Sequence, residues 1–335
     1  MSFRRHVRSQ AAAHRCTVVL AEGWDDRVRR AADILETDGI ATVVLLDRSM
    51  EGDPRQNSVA ELLAVRRPDA VRNAAHAREL AADPLRFAAA LVGLGEADAA
   101  VAGATCPTSD VIRAALWAIG PAAGIATVSS AFYLDFPVEG FSFRSGECGT
   151  VEGENGVGDT VLTFADAGVV PDPTADQLAE IAWSAAHDRR LVVGDEPVVA
   201  FLSYSTRGSA DGPRVEKMRE AVERFRVLAP DIVADGELQG DAALVPDIAR
   251  LKAPDSHVAG CANIMVFPDL DSGNVTYKLV QRLAGATATG PILQGLARPM
   301  IDLSRGATAD DVVDGAAVGI LQAASPNAGS IVEEA

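Results

Sequence analysis

The sequence predicts an α/β protein of two doubly wound domains with mostly parallel sheets. Short apolar runs rich in Val, Ile and Ala alternate with longer segments whose apolar residues recur at helical spacing. Repeated strand–helix units of this kind place parallel strands side by side and cover both faces of the sheet with helices. At 335 residues the chain has room for roughly two domains of ordinary size, each with its own core.

The first half of the chain opens with an arginine-rich segment that lacks acidic residues, from Met1 to Arg15. Such a start resembles a transit peptide, but it also fits an amphipathic helix with Phe3 and Val7 turned inward, which we favour. Apolar runs then predict strands, the second of them buried, and helical spacing predicts the segments between them. The predicted strands are 17–21, 40–46, 98–102 and 125–131, and the predicted helices are 25–36, 59–65, 71–94 with a break at Asp83-Pro84, and 111–118.

The second half continues the alternation after a segment without periodicity. Residues 136–159 are rich in Gly and Glu and predict a long loop or hairpin. Thr174 is placed to cap the next helix, and Asp235-Gly236 is expected to form a turn. We place the domain boundary near residues 120–124, where Gly-Pro-Ala-Ala-Gly interrupts the pattern. The predicted strands are 160–165, 198–203, 232–234, 264–267 and 288–293, and the predicted helices are 174–187, 214–228, 242–251, 273–283 and 312–324.

Composition and charge exclude several classes of partner. Asp and Glu outnumber Lys and Arg by 47 to 30, and the net charge of −17 disfavours nucleic acids and anionic membranes. Aromatic residues make up 5% of the chain, too few for a stacking platform, and no apolar run reaches transmembrane length. We therefore predict small-molecule substrates, with no nucleic-acid or membrane partner.

Several motifs of metal and nucleotide chemistry are absent from the sequence. The four cysteines (Cys16, Cys106, Cys148 and Cys261) show no CxxC spacing, and the five histidines form no HxxxH pair. No GxxxxGK[ST] or GxGxxG pattern follows a predicted strand, which disfavours nucleoside triphosphatases and the usual dinucleotide fold. This cysteine usage favours a reducing compartment, so we predict a cytoplasmic protein without a metal.

The most informative stretch of the chain is Ser304-Arg305-Gly306, which follows a predicted strand and precedes a predicted helix. In open α/β sheets, ligands bind at this end of the strands. Ser304 offers a hydroxyl donor, Arg305 a planar fork for phosphate, and Gly306 a close approach of the backbone. Asp311 follows shortly afterwards and is the nearest candidate base.

Two further strand-to-helix connections carry hydroxyl and cationic side chains. Thr108 and Ser109 precede Arg113 by about one turn in the first, and Ser205 and Thr206 lie in the second. Free amides and the dipole at a helix start favour a bound anion. One such connection alone is better explained by a helix cap and a solvated arginine, but three in an acidic chain favour a focused site. We therefore predict that these side chains bind substrate.

Asp311 has two interpretations that the residues alone leave open. Thr308 and Asp311 have the spacing of a capping box, in which the acid closes the first turn of a helix. That position lowers the pKa of a carboxyl group and makes it a poorer base toward a thiol. Asp311 is therefore either a helix cap or a catalytic group in a closed, desolvated cleft.

The chain also carries a series of ordered motifs, dense from Phe201 to Asp311. They are Ser203-Tyr-Ser-Thr206, Asp235-Gly-Glu-Leu-Gln239, Lys252-Ala-Pro254, Phe267-Pro-Asp-Leu-Asp-Ser-Gly-Asn274, Tyr277-Lys278, Gln281-Arg-Leu283, Gln294-Gly-Leu-Ala-Arg-Pro299 and Asp302-Leu-Ser-Arg-Gly306. Together they resemble the phosphate acetyltransferase (phosphotransacetylase) family of the phosphate acetyl/butyryl transferase superfamily. The resemblance covers most of the chain.

The resemblance implies reversible acyl transfer, in which acetyl-CoA and phosphate give acetyl phosphate and CoA. It implies a homodimer of two-domain subunits, similar to isocitrate and isopropylmalate dehydrogenases, with the active site in the cleft between the domains. Residues 1–124 and 290–335 would form domain I, and residues 125–289 domain II. CoA would be a substrate, and no tightly bound cofactor is implied.

The family's functional residues carry over to positions that match its motifs. Asp311 matches the proposed base toward the CoA thiol, and Arg305 matches the phosphate-binding arginine. Ser304 matches the group proposed to stabilise the transition state, and Arg113 a second active-site arginine. Arg67 aligns with an arginine implicated in CoA binding.

Three departures from the family pattern bear on the acyl group. Cys106 stands where the family usually has a histidine, Ala114 stands where it usually has a proline, and the segment 136–159 looks longer than the family's connection. Propionyl or butyryl transfer is therefore an alternative to acetyl transfer. No nucleophile–base pair is recognisable, so we expect direct transfer in a ternary complex; Cys106 or Cys148 would carry the acetyl group if the enzyme were acylated instead.

Two other function classes are alternatives. Domains of this family occur appended to malic enzymes, so the chain would fit a non-catalytic acetyl-CoA sensor, although the retention of Ser304, Arg305, Arg113 and Asp311 argues for activity. A metal-dependent decarboxylating dehydrogenase, whose fold is related, would need clustered aspartates. Asp231 and Asp235 are too few for such a site.

Overall fold

The structure, a computed structural model, describes residues 2–136 and 160–324. Nearly all of the predicted loop 136–159 therefore lies outside the described residues. Strands and helices alternate and most strand pairs are parallel, which confirms the predicted α/β class. The strands are β1 Thr17–Leu20, β2 Thr42–Leu45, β3 Ala99–Ala102, β4 Ser129–Asp135, β5 Val161–Ala165, β6 Val198–Leu202, β7 Val233–Leu238, β8 Ile264–Val266, β9 Thr287–Gln294 and β10 Met300–Asp302. The helices are α1 Phe3–Ala12, α2 Asp26–Thr37, α3 Gln56–Arg66, α4 Ala74–Ala81, α5 Pro84–Leu94, α6 Thr108–Ala118, α7 Ala175–Val192, α8 Pro213–Leu228, α9 Gly240–Leu244, α10 Pro246–Lys252, α11 Leu270–Leu283 and α12 Ala309–Ala324.

The chain is divided into two compact units. We call Arg4–Ile125 with Gly290–Ala335 the first unit, and Met1–Phe3 with Ala126–Thr289 the second unit. The first unit contains a four-stranded parallel sheet in the order β10-β3-β1-β2. Gly319 of α12 lies against this sheet, where an added Cβ would be 3.2 Å from the side chain of Ala99, so small residues set the close approach of helix and strand.

The second unit contains a mixed sheet in the order β7-β6-β8-β5-β4-β9. Its strands β7, β6, β8 and β5 are parallel neighbours, and β4 pairs with β5 in the antiparallel sense. Helices α7 and α8 cover one face of the sheet and bury Leu178, Ile181 and Phe225 against it. This packing follows from the helical spacing of those apolar residues.

Two identical segments of sequence show how sheet position decides burial. Both β1 and β2 read Thr-Val-Val-Leu, and they pair with each other in register. β1 is central and its Val18 and Val19 are fully buried, whereas β2 is at the edge and Leu45 is 43% exposed. The prediction of a buried strand at 40–46 is therefore wrong, because the edge position leaves one side of β2 without a neighbouring strand.

Local signals placed several helix boundaries correctly. The amphipathic helix at the start is confirmed, since Phe3 and Val7 of α1 are each 1% exposed. The predicted break at Asp83-Pro84 is confirmed, because Asp83 caps α5 through the amide of Arg86 and proline occupies the first helical position. Thr174 forms a capping box at the start of α7, as the hydroxyl at that position predicts.

Other boundaries differ from the predictions for identifiable reasons. β4 begins at Ser129, four residues after the predicted start at Ile125, and runs to Asp135, where its pairing with Val161 of β5 ends. β7 continues through Asp235-Gly236 instead of turning there, since both residues pair with β6. Pro246 divides the predicted helix 242–251 into α9 and α10, as expected for a residue without an amide hydrogen.

Three of the four cysteines lie within the described residues. Cys16 and Cys106 are free thiols, whereas Cys261 is disulfide-bonded. A disulfide departs from the cysteine usage expected in a reducing compartment.

None of the helices in the described ranges is both long and apolar enough to cross a membrane.

Candidate active site

Two of the predicted ligand-binding connections lie side by side in the first unit. β10 pairs in parallel with β3, which brings Asp302 next to Ala102, and the amide of Leu303 continues the pairing by donating to the carbonyl of Ala102 at 2.8 Å. The connection 303–308 therefore runs beside the connection 103–107. The strand that precedes Ser304 is β10 and not the predicted strand 288–293, which is a correction to the sequence analysis.

The segment Ser304–Ala307 forms a tight turn that carries the exposed Arg305 guanidinium. The amide of Ala307 donates to the carbonyl of Ser304 at 2.8 Å, and the amide of Gly306 donates to Ser304 Oγ at 3.2 Å. Since Oγ accepts from Gly306, its own proton stays available for a ligand. Arg305 is exposed, and its guanidinium makes no hydrogen bond or ion pair with any residue that the structure describes. The turn thus presents an uncompensated positive charge beside a hydroxyl donor.

Arg27, at the start of α2, holds this turn in place. Its Nη1 donates to the carbonyls of Arg305 and Ala307, and its Nη2 to the carbonyl of Ala104, each at 2.8 Å. Asp25 fixes the guanidinium through Oδ1 and Oδ2, at 3.0 and 2.8 Å. Arg27 therefore ties the Ser304 turn to the connection after β3. The sequence analysis missed it because carbonyl acceptors carry no sequence signature.

Glu22 holds the connection after β3 in place through its buried carboxylate. Its side chain is buried, and it accepts from the amides of Ala104 and Thr105 and from the Thr105 hydroxyl, each at 2.7 Å. Gly103 has φ +99°, and a Cβ there would lie 2.7 Å from Leu303 N and O and closer still to Asp302 Oδ1. Glycine is therefore required at this position for the two connections to approach each other.

Thr108, Ser109 and Arg113 lie on α6, which begins at Thr108, three residues before the predicted start. Thr108 Oγ1 donates to Asp302 Oδ2 at 2.6 Å, so its hydroxyl faces β10. Ser109 is exposed and its hydroxyl has no partner within the described ranges. Arg113 is exposed and pairs with Asp110 at 2.9 Å, so its charge is partly compensated.

Burial sets the protonation of two groups beneath these connections. The Asp302 carboxyl is fully buried, and burial, helped by the negative charge of Glu22, raises its pKa to about 7. Burial and the charges of Glu22 and Asp302 raise the pKa of the Cys106 thiol to about 12. Cys106 is therefore protonated at neutral pH and is a poor nucleophile.

Asp311 forms the capping box that its spacing predicts. Its Oδ2 accepts from the amide and the hydroxyl of Thr308, each at 2.9 Å, and its own amide donates to Thr308 Oγ1 at 3.2 Å. Its Oδ1 accepts from Arg4 of α1. The side chain is 33% exposed, so Asp311 caps α12 and still reaches the surface.

The two remaining predicted positions have different surroundings. Arg67 ends α3, and its guanidinium stacks over the ring of Trp117 with Cζ 5.3 Å from the centroid. Arg86 lies over the same ring at 5.2 Å, so two cations share one aromatic side chain. The structure gives no contact between Arg67 and the Ser304 turn among the residues that it describes.

Ser205 and Thr206 are buried inside their loop in the second unit. Ser205 Oγ donates to Glu237 Oε1 at 2.8 Å, and Thr206 Oγ1 accepts from the amide of Gln239 at 2.9 Å. Although burial raises the pKa of Glu237, hydrogen bonds from Arg219, Gly208 and Ser205 outweigh it and lower the pKa to about 2. These hydroxyls stabilise the loop and are not exposed donors, so they are not part of the proposed site.

Comparisons with known proteins point to one family. A sequence profile described as phosphate acetyl/butaryl transferase matches residues 2–320. The chain is 42% identical to a phosphate acetyltransferase of Acetivibrio thermocellus, over 96% of this chain and 98% of that protein. It is similar to solved structures of a phosphotransacetylase from Streptococcus pyogenes (36% identity, TM-score 0.81) and the EutD phosphotransacetylase from Staphylococcus aureus (32% identity, TM-score 0.81). Each structural match covers 96% of this chain and 98% of the other.

Proposed function

Because the chain belongs to the phosphate acetyl/butaryl transferase family of acyltransferases, we propose that it moves an acetyl group reversibly between coenzyme A and inorganic phosphate. One observation carries the proposal: the Arg305 guanidinium is exposed and unpaired, among the described residues, beside the Ser304 hydroxyl. In a chain of net charge −17, such a cation is suited to a small anion.

The proposed reaction is a direct transfer. In the direction of CoA acylation, the thiol sulfur attacks the carbonyl carbon of acetyl phosphate and forms a tetrahedral oxyanion. That intermediate collapses, the bond from carbon to the phosphate oxygen breaks, and phosphate leaves with the electron pair. Arg305 holds the phosphate through two parallel hydrogen bonds, and Ser304 donates to the developing charge. The protonated thiol of Cys106 supports direct attack over an acyl-enzyme at that residue.

Asp311 is proposed to accept the thiol proton. Proton transfer from an ordinary thiol to an ordinary carboxylate is uphill by roughly 6 kcal/mol, because their pKa values are about 8.5 and 4. The transfer is therefore expected to accompany formation of the carbon–sulfur bond, when the sulfur becomes positive and its proton acidic. The capping contacts with Thr308 keep the carboxylate in one orientation for this step.

Arg113, Ser109 and Arg67 are proposed to bind the anionic parts of the substrates. Arg113 and Ser109 lie in the first turns of α6, where backbone amides favour anions. The ion pair of Arg113 with Asp110 is exposed, and pairs of this kind contribute about 0–1 kcal/mol, so a phosphate can replace Asp110 at little cost. Arg67 is proposed to contact CoA, and Thr108 to hold the start of α6 through Asp302.

Propionyl or butyryl transfer is a second candidate. Cys106 is smaller than the histidine that the family usually has, and it is partly exposed on the connection after β3. A smaller side chain there would leave room for a longer acyl group. Turnover of acetyl, propionyl and butyryl phosphate with CoA, compared as kcat/KM, decides between the two.

A homodimer is a further part of the proposal. A cytoplasmic location is proposed as well, and the Cys261 disulfide argues against it. The helix α11 exposes an apolar stripe at helical spacing, formed by Val275, Leu279 and Leu283, whose exposed fractions are 56%, 52% and 82%. Exposed stripes of this kind are typical of subunit contacts. Light scattering on the wild type and Leu279→Glu tests the dimer: the variant is expected to be monomeric.

We further propose that the two compact units are the two domains of the family.

The direct test of function is formation of thioester from CoA and acyl phosphate, together with a search for labelled protein after incubation with radiolabelled acetyl phosphate. We expect turnover without stoichiometric label. Tight CoA binding without turnover of any acyl phosphate would support the sensor alternative, and stoichiometric label would contradict direct transfer.

A further inference from the structure

Helix α1 carries two arginines to the start of α12. Arg4 donates through Nη2 to Asp311 Oδ1, and its Nε lies 2.8 Å from Asp314 Oδ2. Arg8, one turn further along, lies 2.7 Å from Asp314 Oδ1 through Nε and 2.9 Å from Asp310 Oδ1 through Nη2. The two guanidiniums thus share Asp314, but only Arg4 reaches Asp311.

Asp314 is the anchor of this cluster. Its side chain is 2% exposed, and burial raises its pKa while the positive charges of Arg4 and Arg8 oppose that rise. Arg8 Nε donates a hydrogen bond to Asp314 Oδ1, and Arg4 forms an ion pair with Asp314 Oδ2 without a hydrogen bond. Arg4 is consequently held by a buried partner on one side and presents its Nη2 to Asp311 on the other.

The two oxygens of Asp311 therefore have separate supports. Oδ2 is held by Thr308 at the start of its own helix, and Oδ1 is held by Arg4 from α1. The capping box holds one oxygen of the carboxylate, and the contact with Arg4 holds the other. Together they fix the plane of the carboxylate.

We propose that Arg4 is a positioning residue for acyl transfer, which holds the Asp311 carboxylate in one orientation toward the CoA thiol. The inference rests on the proposed function, in which Asp311 is the proton acceptor. Arg4 itself touches no reacting atom. Its effect is on the geometry of the Asp311 carboxylate.

The charged side chains at the start of α12 come from α1 and from α12 itself. Arg4 and Arg8 lie on α1, and Asp310 and Asp314 lie on α12 beside Asp311. Removing Arg4 leaves Asp311 Oδ1 without its hydrogen bond, whereas Arg8 still pairs with Asp314.

The test compares Arg4→Gln, Arg4→Lys and Arg8→Gln with the wild type. A misplacement of about 1 Å in a catalytic group lowers the rate by about 10²-fold. Arg4 and Asp311 are each 33% exposed, and Thr308 still holds one oxygen of Asp311, so we expect a smaller loss. In Arg4→Gln we expect kcat to fall by about 10-fold, with KM for CoA and acetyl phosphate unchanged because Arg4 touches no substrate. Arg4→Lys restores a donor to Asp311 and should recover most of kcat.

Arg8→Gln is the matched control, because it removes a guanidinium from the same helix and the same buried Asp314 without touching Asp311. Its kcat should stay at the wild-type value, and thermal unfolding of both variants shows whether they fold. An unchanged kcat in Arg4→Gln, or the same loss in Arg8→Gln, would overturn the inference.

A measurement without turnover separates this inference from the proposed function. Crystal structures of the wild type and of Arg4→Gln show the orientation of the Asp311 carboxylate directly. A rotated or disordered carboxylate in Arg4→Gln supports the inference, and an unchanged carboxylate overturns it. Absence of acyl transfer by the wild type would instead contradict the proposed function.

Discussion

The Arg27 guanidinium donates to the carbonyl oxygen of Arg305 at 2.8 Å while Asp25 holds it from the opposite side. The same guanidinium reaches Ala104, so one side chain joins two connections that are about 200 residues apart in the sequence. Because these hydrogen bonds hold the backbone of Arg305, its side chain extends from a fixed position. The position of the phosphate-binding group therefore depends on a residue that does not touch phosphate.

Replacing Arg27 tests this dependence. Arg27→Gln removes the hydrogen bonds to the carbonyls of Arg305, Ala307 and Ala104, and a misplacement of about 1 Å lowers the rate by about 10²-fold. We expect kcat/KM for acetyl phosphate to fall by that order. Arg29→Gln on the same helix is the control and should keep its activity, since within the described residues the Arg29 guanidinium pairs with Asp26 and the Gly23 carbonyl and not with the turn. Wild-type kinetics in Arg27→Gln would show that the clamp has no role.

The raised pKa of Asp302 predicts a pH-dependent stability. Below about pH 4 the carboxyl is protonated in both the folded and unfolded chains, so it has no effect. Between pH 4 and 7 the unfolded carboxyl ionises while the folded one keeps its proton, so stability falls as pH rises, by about 1.4 kcal/mol per unit. Above pH 7 the loss is constant.

Asp302→Asn keeps this group neutral at every pH. We expect its free energy of unfolding, relative to the wild type, to rise by about 2–4 kcal/mol between pH 4 and pH 8. Urea unfolding at the two pH values measures the difference. A difference that does not change with pH would mean that Asp302 is ionised in the folded protein throughout.

The protonated state of Cys106 predicts that its thiol is dispensable. Cys106→Ala should retain turnover with acetyl phosphate within a factor of about 3, because a thiol with a pKa of about 12 contributes almost no thiolate at neutral pH. Alkylation of Cys106 by iodoacetamide should be slow in the native protein. Loss of turnover by several orders of magnitude in Cys106→Ala would favour an acyl-enzyme instead.

Gly103 predicts a specific steric limit. Gly103→Ala introduces a Cβ against Leu303 and Asp302 at φ +99°, so it should lower the free energy of unfolding by about 2–4 kcal/mol. Gly194→Ala is the control, since Gly194 has φ +82° but no atom within 4 Å of the added Cβ. It should lose only about 1 kcal/mol, the cost of a left-handed backbone. Equal losses in the two variants would contradict the close approach of the two connections.

Sequence reasoning reached the parts of the fold that local signals determine. Apolar spacing places α2 and α12, the predicted break at Asp83-Pro84 places the start of α5, and the predicted cap at Thr174 places the start of α7. β10 was missed because it has three residues and is defined only by its pairing with β3. The exposure of β2 was missed because its sequence equals that of the buried β1.

In the candidate site, too, the sequence identifies some residues but not the tertiary contacts that position them. Ser304 and Arg305 are recognisable by residue type and by their place between a strand and a helix. The contacts that position them are not, since Arg27 binds carbonyl oxygens and Glu22 binds amides that every residue has. Ser205 shows the opposite error, because a hydroxyl in a connection looks the same whether it faces solvent or a buried Glu237.

The most direct test of the account measures phosphate use by Arg305→Ala and Arg305→Lys, with the exposed Arg30→Ala as a control. The guanidinium is expected to bind phosphate through two hydrogen bonds, so Arg305→Ala should lower kcat/KM for phosphate by about 10³-fold. Arg305→Lys should recover part of this loss, and Arg30→Ala should match the wild type. If Arg305→Ala kept kcat/KM within a factor of about 3, the phosphate would be bound elsewhere and the proposed site would be wrong.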